Sequence, residues 1–167
     1  VRSRNSPRTT LVRRIRNLAV LEPVNIVIFG VTAFVILPAP LNTVNVTGFV
    51  LVAVHLLIGG AYWAIKVRQV RARLPKPPLI GAFGWLRRLC EAGLVAGFVI
   101  LAVSVARGAV GLGSLPGILF YLLAVAEYVN YFHWQLSHQT SADVTRLLRT
   151  RRLHRSHLYL DMRAHRG

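Results

Sequence analysis

Acidic residues are scarce in this sequence: five Asp and Glu stand against 21 Lys and Arg in 167 residues, a formal net charge of +16. Cysteine is nearly absent, and a single Cys90 excludes an internal disulfide and a cysteine-built metal cluster. No P-loop, glycine-rich dinucleotide fingerprint or serine nucleophile elbow occurs, which removes the commonest phosphate- and acyl-handling motifs. Charge is also missing from long stretches. No fixed charge falls between Pro23 and Ile65 or between Ala92 and Ala106, and from Gly108 to Leu136 the one charge is Glu127.

What is present is apolar. Hydrophobic residues make up 54% of the chain, which a soluble nucleic-acid binder does not explain, so nucleic acid is disfavoured as a partner. A polytopic membrane protein explains both the hydropathy and the charge, because the basic residues lie outside the apolar runs. About 20 helical residues cross a bilayer, so the first run must fold back on itself. Its turn is Pro38-Ala39-Pro40-Leu41-Asn42, where two prolines remove backbone donors. The expected fold is all-α, with four transmembrane helices, short connections and a basic amphipathic C-terminal helix. The spans are expected near 18–37, 44–66, 89–106 and 115–136, within a membrane domain of 18–136 flanked by basic tails at 1–17 and 137–167. Continuous apolar runs argue against β-barrel strands, which alternate. A cleaved leader is disfavoured for the first span, because Glu22-Pro23 stands at its entrance.

Lys and Arg number six before the first span, seven in the loop from Lys66 to Arg88 and seven after Leu136, against Arg107 alone in the other two connections. That split predicts both tails on the cytosolic side of a cell membrane, with a bacterial inner membrane as the expected location. In the central loop Pro75, Pro77 and Pro78 divide a helical extension of the second span from LIGAFGW, expected as a surface or re-entrant segment. In the tail, Ser141 or Thr140 is the expected cap of a helix on which Val144, Leu147, Leu148, Leu158 and Met162 share one face. Arg87, Arg88, Arg151, Arg152 and Arg155 are the candidate contacts for anionic lipid or phosphate.

Acids within a span are costly and need partners. Glu22 and Glu91 lie near span ends, where Arg14, Arg16, Arg87 and Arg88 are expected to pair with them. Glu127 and His55 each lie about a dozen residues from the same membrane face, which predicts a buried pair between the fourth and second spans. Gly48, His55 and Gly59 share a face of the second span and would let a neighbour approach closely; Gly93 and Gly97 mark another close contact in the third. Glu127, Asn130, Tyr131, Trp134 and His138 fall on one side of the fourth span.

Catalytic candidates, if chemistry occurs here, are Glu127, Asn130, His133 and His138. His154 and His157 have the HxxH spacing of a metal pair, but the arginines around them repel a dication, so neither metal nor cofactor is expected. Three readings of function follow. The first is a non-enzymatic subunit or binding module that engages anionic lipid, a membrane-protein partner or its own copies. The others are a lipid-processing enzyme, with or without a metal, and a small proton-coupled transporter built on His55 and Glu127.

Overall fold

The computed structural model describes residues 7–135 and 154–166. Among these residues there are five helices: α1 (Pro7–Val31, prolonged by a π turn over Thr32–Ile36), α2 (Thr43–Ala72), α3 (Ala82–Ala106), α4 (Leu115–Phe132, entered through a 3-10 turn at Leu112–Ser114) and α5 (His157–Arg166). The first four are long and apolar enough to cross a membrane. The all-α, four-span architecture with a short C-terminal helix therefore stands.

Helix ends depart from the expected spans for identifiable reasons. α1 begins at Pro7 rather than 18, and α2 runs to Ala72 rather than 66, because arginine, lysine and glutamine continue a helix readily outside an apolar run. α3 begins at Ala82 rather than 89, which corrects the reading of LIGAFGW. Its Ala82–Trp85 portion opens the helix, and Ile80 and Phe83 are buried. α4 stops at Phe132 rather than 136: the Gln135 amide bonds the His154 carbonyl, and the Ser156 amide bonds that of His133. Trp134 and Arg155 thus sit in a short antiparallel bridge, and Trp134 leaves the helical stripe on which it was expected. Of the expected C-terminal helix, Leu158 and Met162 do share a buried face. Its expected start, with Val144, Leu147 and Leu148, lies outside the described residues.

α2 is the central post. Half of its most apolar stretch is buried, against 6% for α1, 11% for α3 and 17% for α4. Glycine makes that possible. A methyl group at Gly48 would overlap the Gly117 backbone of α4, and one at Gly59 would overlap the Tyr131 ring. On the opposite side Gly60 faces α1 where Pro23, lacking an N–H, frees the Ala19 carbonyl. Gly93 and Gly97 behave differently: they receive the side chains of Leu51 and Tyr121 rather than a backbone. The middle of the bundle is filled by Val52, Leu56 and Ala124, with Phe29, Phe49 and Phe120 in edge-on or tilted ring contacts. Outward faces are apolar and open, with Val27, Val35, Leu89, Val95, Phe98 and Leu119 exposed, as a lipid-facing surface would be.

Asn45 joins the end remote from the basic segments. Fully buried, its amide donates to the carbonyls of Pro40 and Gly113 (both 2.8 Å) and accepts from the Gly117 amide (2.8 Å). Asn42 caps α2 by accepting from the Asn45 amide at 2.8 Å, and its side chain donates to Ser114 Oγ.

The other end is closed by α5. Ser156 caps it, accepting from the Tyr159 amide at 3.0 Å while its hydroxyl donates to the Tyr131 carbonyl. Leu158 and Met162 insert into a core with Ile58, Tyr62, Ile80, Phe83, Cys90, Tyr131 and Phe132. Asp161 accepts from Tyr62 (2.7 Å) and Lys66 (2.6 Å), two α2 residues one helical turn apart.

Candidate functional site at the basic end

The basic segments meet at one end of the bundle. Arg8 donates to the carbonyls of Val70 and Arg71 at the close of α2 (2.7 and 2.9 Å), and α5 covers the start of α3 and the end of α4. Two polar clusters sit beneath this rim, back to back on α4.

The first cluster faces α1. Tyr131 donates its hydroxyl to Glu22 at 2.6 Å, and Glu127 interacts with the same hydroxyl while accepting from Asn130 at 3.3 Å. The ring of Tyr131 lies on Gly59, so the close approach of α2 and α4 is what aims the hydroxyl at α1. Two carboxyl groups around one hydroxyl supply acceptors for a proton or a small cation. Glu22 was expected to pair with Arg14 or Arg16. Those residues lie eight and six positions back along α1, more than a turn away, and Tyr131 takes the carboxylate instead.

His55 does not join this cluster. Its Nδ1 donates to the Leu51 carbonyl one turn back on α2 (2.8 Å), and Nε2 is buried with no hydrogen-bond partner among the described residues. The ring meets Tyr128 edge-on at 6.3 Å. The expected His55–Glu127 pair is therefore not formed: a helical carbonyl takes one group, and Asn130 and Tyr131 take the other.

The second cluster faces α3. Arg87 Nε donates to Glu91 at 2.9 Å, the expected pair, and to Tyr128 at 3.3 Å. Tyr128 in turn donates to Glu91, and His133 Nε2 lies 3.3 Å from the Tyr128 oxygen. Partial burial, with Arg87 and Arg155 nearby, holds the His133 pKa below the ordinary histidine value, and Glu91 opposes them. The Arg155 guanidinium stacks over Trp134 at 4.0 Å and near Tyr159 at 4.9 Å. Arg88 lies over Trp85 at 5.2 Å.

The catalytic candidates are thus divided. Glu127 and Asn130 touch each other on the α1 side, His133 turns to α3, and His138 lies outside the described residues, as do Arg151 and Arg152. His154 gives its carbonyl to Gln135, while the His157 ring packs on Trp63 at 6.0 Å, so the HxxH pair serves packing and chain pairing. No three of His, Cys, Asp and Glu gather among the described residues in a way that could hold a metal ion. Sequence reasoning missed the link of Tyr62 and Lys66 to Asp161, one of two acids in an arginine-rich tail. Comparison of the chain with protein-family models, curated proteins and solved structures found no match.

Proposed function

We propose that the chain is a small, non-enzymatic integral membrane protein, a binding module whose basic end lies at the cytosolic surface and engages anionic lipid headgroups. One observation carries this reading: the arginine-bearing segments converge at one end of an otherwise apolar bundle, with tryptophan beneath two of the guanidinium groups. Tryptophan favours the headgroup level, and each Lys or Arg near an anionic leaflet contributes about 1 kcal/mol. The division of Glu127, Asn130 and His133 between two faces of α4 weighs against an enzyme built on them. Native mass spectrometry of protein released from mixed-lipid nanodiscs tests the reading. Selective retention of phosphatidylglycerol over phosphatidylcholine, weakened by salt, is expected. Equal retention of the two lipids would overturn it, and a stoichiometric protein partner retained instead would replace lipid with that partner.

A second reading, proton or cation movement, is favoured by the convergence of Glu22 and Glu127 on Tyr131. Glu127→Gln in proteoliposomes decides it. Proton flux in the parent protein that disappears in the variant supports transport, and no flux in either removes that reading.

A further inference from the structure

We propose that the rim where α3, the end of α4 and the residues leading into α5 meet is a specific site for one phosphate group, held by Arg155 and Arg87 beside His133. The proposal rests on the headgroup-binding reading above and narrows it from a charged surface to a defined receptor.

Arg155 is the centre of the argument. Its guanidinium carbon lies over the Trp134 ring, 4.0 Å from the centroid, and 4.9 Å from the centroid of Tyr159. Cation–π contacts of this kind hold a guanidinium in place without consuming its N–H donors. Among the described residues no carboxylate or carbonyl takes those donors. Two other cations of the rim are committed: Lys66 to Asp161, and Arg8 to two backbone carbonyls. The position of Arg155 is also fixed along the chain, because the bridge to Trp134 and the Ser156–His133 hydrogen bond (3.2 Å) tie its backbone to the end of α4.

That tie brings Arg155 next to the second cluster. Tyr128 joins Arg87 and His133, each 3.3 Å from its oxygen. Arg87 spends Nε on Glu91 and Tyr128, and among the described residues nothing takes its two Nη groups. The local charge is then two guanidinium groups against one carboxylate, an excess of one. A singly charged phosphate, either the diester of a glycerophospholipid or a free phosphate monoanion, balances it and matches the forked donors. Trp134 beside the site places it at the depth of a lipid phosphate.

The test uses the full chain in phosphatidylcholine nanodiscs with tryptophan fluorescence and native mass spectrometry as readouts. One arm adds phosphatidylglycerol to the bilayer; the other adds inorganic phosphate and soluble glycerol phosphate. Arg155→Gln and Arg87→Gln are each expected to weaken phosphatidylglycerol retention about tenfold, the scale of a lost charge-assisted fork. Arg155→Lys, which keeps charge but not the fork, should fall between. Arg88→Gln, on the separate Trp85 stack, removes one charge from the general basic surface and should weaken retention clearly less than Arg155→Gln, by about fivefold at most. An Arg88→Gln loss equal to that of Arg155→Gln overturns the site and leaves the general headgroup reading standing. Absence of any phosphatidylglycerol preference in the parent protein overturns both, unless soluble phosphate binds with the same variant pattern. In that case the site stands and its ligand is free phosphate.

Discussion

The two ends of this bundle are closed by different physics. At the remote end a single buried amide, Asn45, satisfies the carbonyls of Pro40 and Gly113 and the amide of Gly117, while Gly48 and Gly117 let two backbones touch. The elements joined there are neutral and short. At the basic end closure depends on side chains that carry charge or long apolar reach: Lys66 with Asp161, Tyr131 with Glu22, and Leu158 and Met162 in the core. The first end fixes a crossing. The second holds a short separate helix, α5, against the bundle through an ion pair and two apolar side chains.

The largest break in that contrast is steric. Gly48→Leu places a side chain where the Gly117 carbonyl now lies, and neither backbone can yield without separating α2 from α4. A loss of about 3 kcal/mol or more is expected, measured by SDS titration of the protein in mixed micelles. Gly93→Leu is the comparison, because there the neighbour is the movable side chain of Leu51 and the cost should be smaller. Equal losses would mean that the α2–α4 crossing is not set by backbone approach.

Next comes the polar clasp. Asn45→Ala leaves the buried Gly117 amide and the part-buried carbonyls of Pro40 and Gly113 without their partner, at a cost of about 1–3 kcal/mol. Hydrogen exchange should rise at residues 40–45 and 113–117 and stay unchanged in α5. If α5 loosens equally, the two ends are one cooperative unit and the contrast fails.

How much of this was legible follows from range. The four spans and the basic segments were visible because apolar length and charge are local properties of the chain. The face shared by Gly48 and Gly59 was also legible, since helical spacing determines it, and both do meet α4. Partners were not. Glu22 was assigned to arginines a few residues away, whereas its actual donor is 109 positions distant. Equal depth made His55 and Glu127 a reasonable pair, but depth leaves rotation about the helix axis open, and each found a partner nearby on its own helix. Asn45 was overlooked because an amide at a span entrance resembles a solvated turn residue; its burial comes from packing of the Leu112–Ser114 turn on α2. The Lys66–Asp161 link spans 95 positions, and no local pattern announces it.

A smaller effect probes the basic end directly. Asp161→Asn keeps the shape of the side chain but removes the charge that Lys66 and Tyr62 address. Both members of the ion pair are about four-fifths buried, so screening is partial and a loss of about 1–2 kcal/mol in α5 docking is expected. Protease sensitivity near residues 154–157 should increase, and stability of the remote end should hold. Unchanged protection of α5 would show that Leu158 and Met162 suffice to dock it.

The smallest effect has a definite sign. His133 is partly buried between Arg87, Glu91 and Arg155, with Tyr128 against its ring, and its folded pKa lies below the ordinary 6.5. The folded state therefore binds a proton less readily than the unfolded one. Stability at this end is fully present above pH 6.5 and is lost as pH falls through the lower folded value, after which both states carry the proton and the loss levels off. The groups clasping the remote end, Asn42, Asn45 and Ser114, do not titrate in this range, so hydrogen exchange there should show no matching change. Comparing exchange in α5 between about pH 8 and pH 5, in the parent protein and in His133→Gln, isolates the histidine from other titrations. A parent response that the variant lacks, confined to the basic end, would establish that the two closures respond to different variables. A response of equal size in His133→Gln would move the sensitivity to another group at that end.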